Sequence, residues 1–213
     1  MKTDDLVAIL ARGGAAAQGP SKGRMAAILG AGALVSVTLM AAVLGTRPDF
    51  AQAVLRPMFW AKLCYVAGLA AFGLLSAYAT AMPGRRAAWA VAGAAAVVAA
   101  MASGGAVEYA LADPAARDAL FFGATWRRCP WVIALVSLPM LAAVAWVMRD
   151  LAPTHLRAAG AAAGFAAGGA ATFVYSFHCT EMGAPFLATW YVLGALIPTM
   201  LGALLGPRVL RWH

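Results

Sequence analysis

Phe177-His178-Cys179-Thr180-Glu181 is a short polar interruption between two long apolar segments, and the architecture can be worked out from it. The segment before it covers 158–177 and the segment after it 184–205. About 20 residues of helix at ~1.5 Å rise per residue cross a hydrocarbon layer of ~30 Å, so each segment is one membrane span. The same criterion finds four more spans, 25–45, 58–82, 87–107 and 130–148. The expected fold is an all-α integral membrane protein. Its six-transmembrane-helix bundle covers 25–205, with polar tails at 1–24 and 206–213.

Composition agrees with this class. The 213 residues are 63% hydrophobic and only 11% charged, far from the balance of a soluble domain. A net charge of +8 could point to nucleic acid, but the Lys and Arg residues sit in short connectors rather than in one basic stripe. Their distribution is a topology signal, and no direct nucleic-acid binding is expected.

Lys and Arg near span ends mark the cytoplasmic side. With the N-terminus inside, that side holds ten of them: Lys2, Arg12, Lys22, Arg24, Arg85, Arg86, Arg149, Arg157, Arg208 and Arg211. The other side holds six: Arg47, Arg56, Lys62, Arg117, Arg127 and Arg128. Counting acidic residues, the two sides carry +7 and +1. Both termini are therefore expected in the cytoplasm.

Several span residues carry structural expectations. Gly160, Gly164 and Gly168 form a small-residue face on the fifth span, suited to close helix packing within the bundle. Pro139 and Pro198 fall inside spans, where each removes a backbone donor. Lys62, about one turn inside the second span, is expected to extend its ammonium to the headgroups. Trp60, Trp126, Trp131, Trp190 and Tyr191 read as an interfacial aromatic belt.

Three cysteines, Cys64, Cys129 and Cys179, fall on the outer half. Cys129 follows Arg127-Arg128 and precedes Pro130, so its thiol is expected at a helix N-terminus beside two cations, which favours the thiolate. Cys179 stands at a helix C-terminus next to His178, with Glu181 close in sequence, and is expected to be its partner. Arg127, Arg128, His178 and Glu181 are accordingly candidate modulators of the pair. A disulfide staple between helix ends is one use of the pair. A soft-metal site built from Cys129, Cys179 and either His178 or Glu181 is another, with His178 the candidate carried forward, although the spacing is not that of a standard zinc motif. A sensor is the third. Thiol–disulfide catalysis would be expected to show a CxxC, which the chain does not contain, so no enzymatic activity is expected.

In the N-terminal tail, Thr3 can cap a short helix with Asp4 and Asp5 in its first turn and Leu6, Ile9 and Leu10 on one face. This amphipathic strip suits either the membrane surface or a groove on a cytoplasmic partner.

Four stretches together carry a family resemblance: Met1-Lys2-Thr3-Asp4-Asp5-Leu6; Arg47-Pro48-Asp49-Phe50 with Phe59-Trp60-Ala61-Lys62-Leu63; Trp126-Arg127-Arg128-Cys129-Pro130; and His178-Cys179-Thr180-Glu181-Met182 continuing to Trp190-Tyr191. The whole chain resembles the NrsF family of six-span bacterial inner-membrane anti-sigma factors. The resemblance implies a multi-pass protein of the bacterial inner membrane that sequesters an extracytoplasmic-function sigma factor of the sigma-F type. It also implies that the periplasmic residues Cys129 and Cys179 serve the response to metal or oxidative stress such as chromate or cadmium. Asp4, Asp5, Leu6, Ile9 and Leu10 are the candidate sigma-factor contacts. No cofactor is expected beyond a soft metal ion captured transiently at the cysteine pair. The competing expectation is a small metal or solute transporter, which the scarcity of polar residues at mid-span disfavours.

Overall fold

The computed structural model describes Asp5, residues 21–82 and residues 84–211. Six helices in it are long and apolar enough to cross a membrane: α1 (Lys22–Val43), α2 (Pro57–Ala81), α3 (Ala88–Leu111), α4 (Cys129–Arg149), α5 (Leu156–Tyr175) and α6 (Ala184–Val209). The chain is a multi-pass membrane protein, and these helices match the six apolar runs. Several overrun the expected bounds, α3 reaching Leu111 and α6 reaching Val209. Apolarity marks only the hydrocarbon layer, whereas helical hydrogen bonding continues into the interface until a cap or turn residue stops it. The candidate contacts Asp4, Leu6, Ile9 and Leu10 of the tail lie outside the described residues.

The helix ends follow local chemistry. Ser21 caps α1, its Oγ accepting from the Arg24 amide at 3.3 Å. Pro57, Pro130 and Pro185 occupy the first turns of α2, α4 and α6, where a missing donor costs nothing and the ring presets φ. Gly45, at φ +75°, closes α1 by donating to the carbonyls of Met40 and Ala41, each at 3.2 Å.

α5 is the central helix, packed most extensively against α6 and α2 and also against α4, while α1 leans on α4 and α3 on α2. Its composition explains the position, since a helix of glycine and alanine lets several backbones approach at once. A Cβ at Gly160 would overlap the carbonyl oxygen of Gly202, and one at Gly164 the carbonyl oxygen of Pro198. At Gly168 it would lie 2.8 Å from the Cα of Ala195. The expected small-residue face is therefore the α5–α6 seam within one chain. On another side of α5, a Cβ at Gly169 would meet the Leu69 carbonyl oxygen of α2 at 2.7 Å.

The core has two parts. One, toward the rim where α4 and α6 begin and α5 ends, is built of large side chains including Tyr65, Ile133, Tyr175, Phe186 and Tyr191 together with both Cys129 and Cys179. The other, toward the opposite rim, is mainly alanine with Met140, Val144 and Met148. A wide π-type turn, Leu187–Tyr191, interrupts the regular winding of α6 just inside the first rim. It carries Tyr191 into the core, where the ring is fully buried.

Candidate functional site

The connector from Phe177 to Gly183, between α5 and α6, plugs the first rim. Its backbone does not leave α5 abruptly, because the amides of His178 and Cys179 both donate to the Tyr175 carbonyl at 3.0 Å. One further turn of winding points the Cys179 side chain inward, leaving it 2% exposed, and sends His178 the other way. Nδ1 of His178 lies 3.0 Å from the Gly45 carbonyl, so that nitrogen carries the proton.

Cys129 opens α4 as expected, but it faces the core and is 0% exposed. The hydroxyl of Tyr175 stands beside both thiols, and Tyr191 flanks Cys179. The structure thus brings Cys129 and Cys179 together around one tyrosine, with all three cysteines free. Cys64 faces outward from α2. Arg127 and Arg128 are exposed, the Arg127 guanidinium lying 5.1 Å from the Trp126 ring centroid. They precede Cys129 in the chain, yet its side chain turns away from theirs.

The cation deepest in the site is Lys62, and here the snorkelling expectation is corrected. Lys62 is 0% exposed. Its Nζ donates to the carbonyls of Cys179 at 2.8 Å and Glu181 at 3.0 Å, and it sits 5.3 Å from the Tyr191 ring centroid. The plug offers carbonyls left unpaired where α5 ends, and these replace the headgroups and water that a snorkelling lysine would seek. Helical register already pointed this way: Phe59, Lys62, Val66, Leu69 and Gly73 recur at three- and four-residue steps on the buried face of α2.

Other groups tie the plug to the remaining helices. Arg47, 3% exposed, receives the plug through its backbone, the amide donating to the Phe177 carbonyl at 3.1 Å. Its guanidinium grips Asp49 through two hydrogen bonds of 2.8 Å. This pairing raises Arg47 above the usual arginine range and holds the Asp49 carboxyl below the usual carboxylate range. Glu181 Oε1 accepts from the Ala124 amide at 2.8 Å and from the Thr125 hydroxyl at 3.3 Å, anchoring the segment before α4. Glu108 of α3 supplies the cap that Gly183 cannot, its Oε2 accepting from the Ala184 amide at 2.8 Å.

The packing of three of the five belt aromatics goes beyond the expectation. Trp126 and Trp190 pack on each other, ring centroids 5.0 Å apart, and Trp190 Nε1 donates to the Phe121 carbonyl at 2.8 Å. Tyr191 belongs to the core. Trp60 and Trp131 remain 54% and 68% exposed at this rim, as a belt requires.

Among the described residues, no three His, Cys, Asp or Glu side chains converge as metal ligands. His178, counted with the cysteines in the sequence-based set, is engaged with Gly45 instead. The buried hydroxyls of Ser76, Ser137 and Thr172 each return to a carbonyl of their own helix.

Comparison with known proteins matches residues 10–212 to the family described as NrsF, negative regulator of sigma F. The chain belongs to the NrsF family. It is 46% identical over 213 residues to the probable anti-sigma-F factor NrsF of Azospira oryzae, all of both chains being covered. It is 37% identical over 217 residues to the anti-sigma-F factor NrsF of Caulobacter vibrioides, again over the full length of both. No solved structure matches. Membership of NrsF makes the chain a regulator rather than an enzyme.

Proposed function

We propose that the chain is an anti-sigma factor of a bacterial inner membrane that holds a sigma-F-type extracytoplasmic-function sigma factor inactive and frees it when Cys129 and Cys179 react. Both termini lie in the cytoplasm in this reading, and the cysteine rim faces the periplasm. Full-length kinship with anti-sigma-F factors supports the partner. The observation that carries the control element is the burial of two thiols around Tyr175 at a single rim.

Two chemistries suit that pair. In oxidation, two thiols give two protons to solvent and two electrons to an oxidant such as a metal oxyanion, and a sulfur–sulfur bond forms. In metal capture, a soft divalent cation displaces the two protons and is held by both thiolates. With the sulfurs sealed from solvent, either reaction requires the plug to shift. Moving an equilibrium from 1:99 to 99:1 takes about 5.5 kcal/mol of differential stabilisation, so the modified pair must favour the released packing by that order. The tail residues Asp4, Asp5, Leu6, Ile9 and Leu10 supply the sigma-factor contact in this reading.

Affinity capture of the detergent-solubilised protein, with mass spectrometry before and after chromate or cadmium treatment, tests it. A sigma factor is expected with the wild type and with Cys129→Ser and Cys179→Ser, and treatment is expected to release it from the wild type alone. An eluate without a sigma factor refutes the partner, and equal release from the serine variants refutes the role of the thiols. Removing residues 1–12 should abolish capture; undiminished capture moves the contact elsewhere.

A further inference from the structure

We propose that Lys62 is the positioning residue of the cysteine site, a cationic clamp that holds the Cys179 backbone so that both thiols stay sealed, and that it hands any movement of Cys179 to α2. The second half of this inference rests on the function proposed above.

The geometry is that of a clamp. An ammonium has three donors and no acceptor. Two of the three donate to plug carbonyls two residues apart, those of Cys179 and Glu181, while the charge faces the Tyr191 ring. Among the described residues no carboxylate is paired with Lys62, and backbone dipoles and an aromatic face compensate the charge. Such compensation is directional, and a carbonyl that swings away leaves a buried cation under-solvated. Cys179 therefore joins two functions in one residue: its sulfur faces Cys129 and Tyr175, and its carbonyl holds the lysine. A reaction that pulls the sulfur also pulls the carbonyl. The strain falls first on Lys62, at 2.8 Å, whose helix runs from this rim to the opposite one, and less on Arg47, whose Nη1 donates to the same carbonyl at the longer distance of 3.5 Å.

Hydrogen bonds to a charged group are the strong kind, and only local opening of the plug exposes the thiols to a reagent. Reaction of each cysteine with N-ethylmaleimide is followed by peptide mass spectrometry on the purified full chain in detergent, exposed Cys64 serving as internal reference. Lys62→Met is expected to speed labelling of Cys179 and Cys129 at least about tenfold with Cys64 unchanged. Lys62→Arg, which keeps a charged donor in a larger head group, is expected to label more slowly than Lys62→Met. A merely space-filling role predicts the reverse order, since methionine is the closer match in shape. Equal labelling of Lys62→Met and wild type overturns the proposal, as does Lys62→Arg labelling as fast as Lys62→Met. If Lys62→Met does not remain monodisperse, Lys62→Gln replaces it with the same expected speeding and the same refuting result.

A separate arm measures sigma-F binding by Lys62→Met in a Cys129→Ser, Cys179→Ser background. Weakened binding there supports transmission through α2, because Lys62 then acts without the sulfurs. Unchanged binding overturns the transmission. Labelling needs no sigma factor, so failure of the clamp and failure of the anti-sigma reading are read independently.

Discussion

Replacing Gly164 by Ala should separate α5 from α6, and the structure sets the size of the effect. A Cβ at this position would overlap the Pro198 carbonyl oxygen and stand 2.6 Å from the Thr199 Cα, whereas ordinary contact begins near 3.4 Å. Both obstacles belong to backbone, so no rotamer change relieves them, and the helices must part by roughly 1 Å. Overpacking of this kind costs about 1–3 kcal/mol. The parting also loosens Gly160 and Gly168, which use the same face, and membrane helices associate largely through such contacts. Gly104→Ala is the matched control. Gly104 is exposed on α3 with nothing within 4 Å, so it shares the helix-propensity gain of about 1 kcal/mol but not the clash. Unfolding in mixed micelles titrated with SDS, followed by tryptophan fluorescence, should leave Gly104→Ala at or above the wild type. Gly164→Ala should fall roughly 5- to 150-fold below the control in its folding equilibrium. Coincident transitions for the two variants would refute the close α5–α6 seam.

Two further predictions concern the rim. Glu108→Ala removes the cap on α6 and should cost roughly 0.5–2 kcal/mol, read as faster amide hydrogen exchange at Ala184 and its neighbours; unchanged exchange there rules out the capping role. Asp49 has its carboxyl lowered by Arg47 from an ordinary value of 3.8, so the unfolded chain takes up a proton first as pH falls. The stabilisation is complete above that value and is lost as pH drops through the lower folded one. The thermal-midpoint difference between wild type and Asp49→Asn should be constant from pH 7 to about 4 and shrink below it; a difference that grows on acidification contradicts the sign.

The six helices were legible because a bilayer imposes one requirement, a run of apolar residues of fixed length, and the sequence meets it six times. The α5–α6 seam was legible for a similar reason, since glycines at four-residue steps have little other use in a span. The register of α2 puts Lys62 on the buried face, but its partners, the carbonyls of Cys179 and Glu181, lie more than 100 residues away and are backbone atoms, to which sequence gives no type. The outward turn of Arg127 and Arg128 was hidden as well, because adjacency in a chain does not fix which side chain faces the core. Trp190 and Tyr191 illustrate the same limit: a wide turn in α6 decides where each ring points, and nothing in Leu187-Ala188-Thr189-Trp190-Tyr191 announces it.

That wide turn divides α6 into two stretches whose faces are out of phase with a regular helix. The upper stretch answers to the plug, with Phe186 and Tyr191 in the same buried cluster as the sulfurs, while the lower one, from Ala195 through Gly206, is interlocked with α5. A π-type turn gives up regular i to i−4 bonding at one point, so swivelling there is cheaper than twisting an unbroken helix. The glycine interlock can then act as a fixed bearing while the segment above it turns, and rearrangement among the cysteines need not unlock the membrane-embedded body of the protein.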